Sequence, residues 1–313
     1  MNKRSRAFLA DSSLILIGMI WGLNFTLIKF AIGIIPPMEF IGLRFFIAAL
    51  ILMIFFQKHL RVTQRAELLA GSIIGIFLFL GFLTQTIGLQ YTTPGKSGFI
   101  TSLYIVIVPF MASLLKRKFV GWVPITGAIL ALSGLCMISI SLNELFFLSK
   151  GDLLSVVCAV FYAFHILAVE HYSLKYNPYV LTIVQIAFTG IMSMVYSLTF
   201  EPVQLEIPPF VWGAVLYTGL LGTSFALVIQ NVAQKYTSSS HAALLMGLEA
   251  PFSLLFSIWI WGEAPSPRGL IGSTLIFIAI LFVELGPSIL SRYLTKSQQS
   301  GAQNALTRKK QNL

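Results

Sequence analysis

Glu249 is the residue with the clearest potential for chemistry, because it lies near the centre of an apolar segment at about 240–261. An ionisable group at such depth in a membrane costs about 2.5–3.5 kcal/mol on insertion scales and is a site candidate by default. Pro251 follows two residues later and has no N–H, so the carbonyl of Gly247 should lose its helical partner. A broken helix beside an acid is typical of irregular backbone that lines a polar cavity.

Two functional roles fit Glu249. Its carboxylate could contact a cationic group of a substrate, or apolar surroundings could favour its neutral form and let it carry a proton. The alternative is a structural kink in which Glu249 hydrogen-bonds to a neighbouring helix.

Other polar or aromatic side chains recur near the centres of further apolar segments and predict the rest of a cavity lining. These residues are Trp21, Asn24, Gln85, Tyr104, Tyr162, His165 and Gln230. The competing interpretation is hydrogen bonding between helices, worth about 0.6 kcal/mol on average. His165 could titrate near neutral pH, although a single histidine in a membrane also occurs as a hydrogen-bonded packing residue.

Lys29 and Arg44 are the two remaining charges inside apolar segments, and both are interpreted as structural. Lys29 lies near a segment end, where its stem can reach the headgroups. Arg44 keeps its charge and needs an acceptor. A structural clamp, for which Glu39 is a candidate partner, is favoured over contact with a substrate. Pro109 is predicted, like Pro251, to interrupt its helix, here as a bend that allows a gate.

Enzymatic and metal chemistry find little support in these residues. The four histidines form no metal-binding motif, and no two carboxylates share the centre of a segment. Cys136 and Cys158 both lie inside apolar runs, which excludes a disulfide framework. We therefore predict no catalytic residue, no metal and no cofactor.

The elements that position these residues must be membrane helices. Of the 313 residues, 57% are apolar and 10% are charged, against about 25% charged residues in soluble domains. This composition excludes a soluble enzyme, a nucleic-acid binder and a disordered chain. Apolar runs such as 47–56 lack the alternation of barrel strands, so we expect an all-α integral membrane protein in a lipid bilayer.

Ten transmembrane helices are predicted, since each needs about 20 apolar residues. They cover residues 13–33, 37–56, 68–89, 96–115, 122–141, 152–172, 179–199, 210–234, 240–261 and 267–286. Sixteen of the 21 lysines and arginines fall on the side of the N-terminus and three on the opposite side. This bias predicts that both termini are cytoplasmic, in the cytoplasmic (inner) membrane. The net charge of +10 is then a topology signal, and nucleic acid is not an expected partner.

The second half of the chain repeats the first. The offset that aligns Asp11 with Asp152 also aligns Trp21 with Tyr162 and Asn24 with His165, and a slightly larger offset aligns Gln85 with Gln230 and Leu103 with Leu248. Each half has five helices, an odd number, so the second half must enter the membrane with opposite polarity. Two inverted five-helix repeats with a site near the midplane are the recurring architecture of secondary transporters.

The predicted organisation follows from this repeat. It comprises a cytoplasmic N-terminus (1–12), a first repeat (13–141), a linker (142–151), a second repeat (152–286) and a polar, basic cytoplasmic tail (287–313).

Several short motifs occur in the two halves. In the first half these are Ile-Trp-Gly-Leu-Asn-Phe at 20–25, Leu-Arg-Phe at 43–45 and Tyr-Thr-Thr-Pro-Gly-Lys-Ser at 91–97. In the second half they are Leu-Glu-Ala-Pro at 248–251, Trp-Gly-Glu at 261–263 and Gly-Leu-Ile-Gly at 269–272. Together these motifs resemble those of an EamA-type member of the drug/metabolite transporter superfamily. The resemblance covers about residues 12–286 and implies ten helices in two inverted repeats and movement of metabolites, often outward.

The residues and the resemblance together predict a secondary transporter of small metabolites such as amino acids or amines. Export by alternating access is expected, with proton coupling through Glu249 as one hypothesis. The alternatives are a membrane-embedded receptor or scaffold without transport and, with less support, an intramembrane enzyme. The expected partners are a small-molecule substrate and the lipid bilayer, and a homodimer is left open.

Overall fold

The computed structural model describes residues 3–61, 63–115, 117, 121–139, 149–279 and 281–282. Their regular secondary structure is all helical, with ten apolar segments that we call spans 1 to 10. Eight of them are long and apolar enough to cross a membrane, and the apolar helices in spans 5 and 10 are shorter. In chain order the spans are Lys3–Ala31, Pro37–Phe55, Arg65–Leu89, Pro94–Leu115, Trp122–Ser139, Lys150–Ser173, Pro178–Phe200, Pro209–Ala233, Ser239–Trp261 and Pro267–Ala279. A short helix, Gln57–Leu60, follows span 2.

These bounds agree closely with the predicted ones. Span 1 differs most, because its helix begins at Lys3 and its apolar part at Leu9 rather than at 13. The ends of the fifth and tenth predicted helices, most of the linker and the polar tail lie outside the described residues. We call the membrane side at which span 1 begins the N-terminal side and the opposite side the far side.

Local sequence signals explain where several spans begin. Thr93, Ser149, Asn177 and Ser238 each precede a helix and accept a hydrogen bond from a backbone N–H of its first turn. Such side chains satisfy N–H groups that have no partner within the helix. Prolines begin spans 2, 4, 7 and 8, where their missing N–H costs nothing.

Spans 4 and 9 are each interrupted at equivalent positions of the two repeats. Span 4 consists of helices Pro94–Thr101 and Tyr104–Leu115. Span 9 consists of helices Ser239–Met246 and Glu249–Phe256, followed by a π-helix at Ser257–Trp261. The offset that aligns Leu103 with Leu248 superimposes the two interruptions, so the breaks belong to the repeat.

The helix Tyr104–Leu115 is not broken at Pro109, which lies inside it, and the interruption of span 4 lies at 102–103. The predicted bend at Pro109 stays a prediction. One missing hydrogen bond does not separate a helix that is held by its neighbours. Pro251 lies in the first turn of the helix that starts at Glu249, where a proline N–H is not needed. The Gly247 carbonyl does not remain free, because the Ala250 N–H donates to it at 3.0 Å.

Span 8 contains a feature that the sequence did not predict, a π-helix at Leu220–Phe225 between helices Pro209–Gly219 and Ala226–Ala233. Two hydroxyls stabilise its wider turn: Thr223 donates to the Thr218 carbonyl at 2.9 Å and Ser224 to the Gly219 carbonyl at 3.0 Å. Both reach back five residues. Insertions of this kind often lie at functional sites.

The packing of the spans follows the repeat. The contact between spans 1 and 9 in one arrangement corresponds to the contact between spans 6 and 4 in the other. The contact between spans 1 and 8 likewise corresponds to the contact between spans 6 and 3. Spans 2 and 7 contact each other, as do spans 4 and 9. Exchanging the two halves leaves this set of contacts unchanged, as expected for a pseudo-two-fold arrangement.

Candidate functional site

One cavity lies between the two repeats, and it is lined by all eight side chains that the sequence analysis selected as a lining. They are Trp21, Asn24, Gln85, Tyr104, Tyr162, His165, Gln230 and Glu249. Spans 1, 3 and 4 contribute one half of this set, and spans 6, 8 and 9 contribute the other half.

These eight residues form four pairs of repeat-equivalent positions. The pairs are Trp21 with Tyr162, Asn24 with His165, Gln85 with Gln230, and Tyr104 with Glu249. Two apolar pairs of repeat-equivalent residues, Phe25 with Ile166 and Phe82 with Leu227, also line the cavity. The cavity therefore lies where a pseudo-two-fold axis between the halves would pass.

Glu249 is the first residue of its helix and is 3% exposed. The Ser102 hydroxyl donates to its Oε1 at 3.4 Å, and Tyr104 lies beside the carboxylate. Both neighbours come from the break in span 4 or the residue directly after it, so the two interruptions meet beside the cavity. Among the described residues, no lysine, arginine or histidine forms an ion pair with Glu249.

Other lining residues combine contacts between spans with unused hydrogen-bonding capacity. Tyr162 donates to Gln85 Oε1 at 3.2 Å, and the Trp21 indole N–H donates to the Gly222 carbonyl at 2.8 Å. The buried oxygens Asn24 Oδ1 and Gln230 Oε1 have no hydrogen-bond partner among the described residues. A polar ligand could therefore bond to the wall without displacing its existing contacts.

His165 is buried and exchanges a 2.8 Å hydrogen bond with Gln185 of span 7. This contact matches the packing interpretation of a single membrane histidine. Sequence reasoning missed Gln185, and it also missed apolar wall residues such as Leu78 and Met246. Apolar residues give no signal within an apolar helix, since only the tertiary structure selects the few that face the cavity.

Arg44 is fully buried at the edge of this region. Its Nε and Nη2 donate to Thr223 Oγ1 at 3.0 and 2.8 Å, and its guanidinium lies over the rings of Phe45 and Phe82. The prediction that Glu39 is the partner of Arg44 is wrong, because the Glu39 carboxylate accepts a hydrogen bond from the Gln204 N–H at 3.0 Å instead. The π-helix provides the actual acceptor.

Replacing Thr223 with valine should destabilise the protein, because it removes the acceptor of a buried guanidinium at nearly constant volume. Hydrogen bonds to charged groups contribute about 1.5–3 kcal/mol, so we expect a loss within that range in thermal unfolding of the purified protein. Thr199→Val is the matched control, because Thr199 is exposed and bonds only within its own helix, to the Val195 carbonyl. Equal stability of the two variants would contradict the role of Thr223.

Lys29 joins span 1 to the end of span 3. Its Nζ donates to the carbonyls of Leu89, Gln90 and Thr92 at 2.6, 3.2 and 3.0 Å. A cation at a helix C-terminus satisfies carbonyls that have no partner within the helix and complements the helix dipole. This geometry supports a structural role for Lys29 on the far side.

In the parts of the chain that the structure describes, no three histidine, cysteine, aspartate or glutamate side chains form a group that could hold a metal ion. What the cavity offers is one acidic group, several amides and hydroxyls, and aromatic walls. This combination suits reversible binding of a small polar or aromatic molecule.

Comparison with known proteins agrees with this architecture. Residues 8–140 and 149–285 each match the EamA-like transporter family. The chain is 35% identical over 276 residues to an uncharacterized transporter of Archaeoglobus fulgidus, covering 88% of this chain and 86% of that protein. It is 27% identical over 267 residues to the uncharacterized transporter YoaV of Bacillus subtilis, covering 79% of this chain and 86% of the relative.

A solved crystal structure shows the same fold, with a TM-score of 0.67 at 20% identity, covering 93% of this chain and 99% of that one. The two family matches coincide with the two five-helix halves. The chain is therefore a multi-pass membrane protein of the EamA-like transporter family, in the drug/metabolite transporter superfamily, and a transporter rather than an enzyme.

Proposed function

We propose that this chain is a secondary transporter that exports small metabolites, such as amino acids or amines, across the cytoplasmic membrane by alternating access. The observation that carries the proposal is the cavity lined by four pairs of repeat-equivalent residues. A site on a pseudo-two-fold axis keeps its surroundings when the halves exchange conformations, so it can open to either side in turn.

Glu249 is the residue that we expect to bind substrate or to couple transport to protons. Its support is the absence of an ion-pair partner among the described side chains, together with its burial at 3% exposure. A buried carboxylate without a paired cation is costly. A cationic group of the substrate or a bound proton would remove that cost.

The charge bias supports the orientation. The topology predicted from the sequence assigns sixteen of the 21 lysines and arginines to the side at which span 1 begins. This bias favours a cytoplasmic location for both termini and for the N-terminal side of the cavity. Export then means binding from the N-terminal side and release on the far side.

Uptake measurements on the full chain in proteoliposomes test the proposal. A panel of labelled amino acids and amines should contain at least one compound that shows saturable transport above protein-free liposomes. Counterflow with the same compound on both sides should accelerate its exchange. Saturable binding without exchange would contradict transport and favour the receptor alternative.

A further inference from the structure

Two pairs, each of one acidic and one basic side chain, occupy equivalent positions of the two repeats on opposite sides of the membrane. On the far side, Lys96 Nζ lies 2.7 Å from Asp152 Oδ2. On the N-terminal side, His241 Nε2 lies 3.2 Å from Asp11 Oδ1. The two offsets that relate the repeats align Asp11 with Asp152 and Lys96 with His241.

The backbone around the two basic residues is equivalent as well. The Lys96 N–H donates to the Thr93 hydroxyl at 3.4 Å, and the His241 N–H donates to the Ser238 hydroxyl at 3.3 Å. Each basic residue is therefore held in the first turn of a capped helix, in span 4 or span 9. The acidic partners are Asp152 in the first turn of span 6 and Asp11 near the start of the apolar part of span 1.

The two pairs differ in how tightly they are enclosed. In the far-side pair the Asp152 side chain is 0% exposed and Lys96 is 24% exposed, whereas His241 and Asp11 are 35% and 36% exposed. Glu263 adds to the far-side contacts: it accepts from the Thr93 hydroxyl at 2.6 Å and from the Gly95 N–H at 3.0 Å. The far-side pair is thus the more enclosed of the two.

We infer that Asp152–Lys96 and Asp11–His241 are alternating latches, each of which stabilises closure of its own side of the cavity. Spans 4 and 9 carry the basic partners, and their central breaks lie at the cavity. In each of these spans, the helix that carries the basic residue can therefore move while the helix beyond the break keeps its contacts with the cavity. This inference rests on the proposed function, because it assumes two access states.

The chemistry of the two basic residues makes the latches unequal. The base of the far-side pair is a lysine, whereas the base of the N-terminal-side pair is a histidine, a residue type that is charged only when protonated. The more exposed N-terminal-side pair is therefore the weaker latch. This difference predicts that His241→Lys strengthens closure of the N-terminal side.

The test measures access to each half of the cavity without any substrate. Two cavity-lining reporters serve, Ile28→Cys near the far-side end of span 1 and Ile166→Cys near the N-terminal-side end of span 6. The native Cys136 and Cys158 are replaced with alanine. Labelling rates with a charged, membrane-impermeant thiol reagent are measured at constant pH in lipid nanodiscs, where both faces are accessible.

Asp152→Asn should raise the labelling rate at the Ile28→Cys reporter by about five- to tenfold and lower it at the Ile166→Cys reporter. The substitution removes a contact that exists only in the state closed on the far side, so the equilibrium shifts towards the state that is open there. His241→Lys should change both rates in the same directions as Asp152→Asn, without removing any contact. Asp11→Asn should change them in the opposite directions. Glu206→Gln, in an exposed far-side connection, is the control and should leave both rates unchanged.

The double variant Lys96→Met with Asp152→Asn should match the single Asp152→Asn variant if the two residues act through each other. Rates that rise at both reporters would indicate general loosening and would overturn the inference. So would parallel effects of Asp11→Asn and Asp152→Asn. Reciprocal labelling without any transported compound would count against the proposed function alone, and transport without reciprocal labelling would count against the latches alone.

Discussion

Glu249→Gln should lower the transport rate of any compound that the panel identifies by about 10- to 100-fold. Glutamine keeps the shape and the hydrogen bond with Ser102, but it cannot carry a charge or a transferable proton. A hydrogen bond to a charged group is worth about 1.5–3 kcal/mol, and about 1.4 kcal/mol corresponds to a factor of ten. The measurement is initial uptake in proteoliposomes with equal amounts of inserted protein.

Glu206→Gln is the matched control, because it makes the same chemical change in an exposed connection. Its transport rate should equal that of the unmodified protein. A Glu249→Gln variant that transports at the unmodified rate, with and without a pH gradient, would remove Glu249 from both of its proposed roles.

Counterflow distinguishes the two roles of Glu249. If the carboxylate binds a cationic group, Glu249→Gln weakens substrate binding, so counterflow at equal pH falls together with net uptake. If the carboxyl carries the coupled proton, exchange of substrate for substrate continues, and only accumulation driven by a pH gradient is lost. If both counterflow and net uptake are lost, Glu249 binds the substrate. If only accumulation driven by a pH gradient is lost, Glu249 carries the coupled proton.

Gly22→Val should produce the largest loss of stability among substitutions at the interface of spans 1 and 9. A Cβ atom at Gly22 would lie 2.5 Å from the Phe252 Cβ and 2.9 Å from the backbone at Phe252 and Ser253. Backbone atoms cannot rotate away, so the helices must separate. Overpacking of this kind costs about 1–3 kcal/mol and occasionally more. We expect an apparent Tm lower by several degrees in detergent, by about 2–4 °C per kcal/mol.

Gly213→Val is the control for helix propensity, because a Cβ atom at Gly213 in span 8 meets nothing within 4 Å. Because valine has a somewhat higher helix propensity than glycine, that variant should keep or slightly raise the stability of the unmodified protein. If both variants had the same Tm, close packing at Gly22 would not be what holds spans 1 and 9 together.

The same close approach occurs at the interface of spans 3 and 7, where Cβ atoms at Gly71 and Gly75 would lie 2.6 and 2.9 Å from Val184 and Phe188. Small residues four apart permit such contacts between membrane helices. Close packing of this type fixes the distances between spans, and those distances in turn hold the cavity side chains opposite each other.

Much of the candidate site could be predicted because polar residues are conspicuous in apolar helices. Placing Asn24, Gln85 or Glu249 in lipid is costly, so the sequence alone indicates that such residues face the protein interior. The internal repeat then relates the two halves position by position, and four of the pairs that it relates line one cavity with polar or aromatic side chains. Whether these residues bind substrate stays a prediction.

The sequence by itself determined the solvent, the number and approximate bounds of the helices and the relation between the halves. These properties depend on the order and type of the residues within each segment, which can be read without knowing the neighbours of that segment in the fold. Only the tertiary structure decided that Arg44 bonds to Thr223 rather than to Glu39, that span 8 contains a π-helix, and that span 4 breaks at 102–103 rather than at Pro109. Those features depend on which neighbour supplies a hydrogen-bond acceptor or close packing, and residues far apart in the chain supply it.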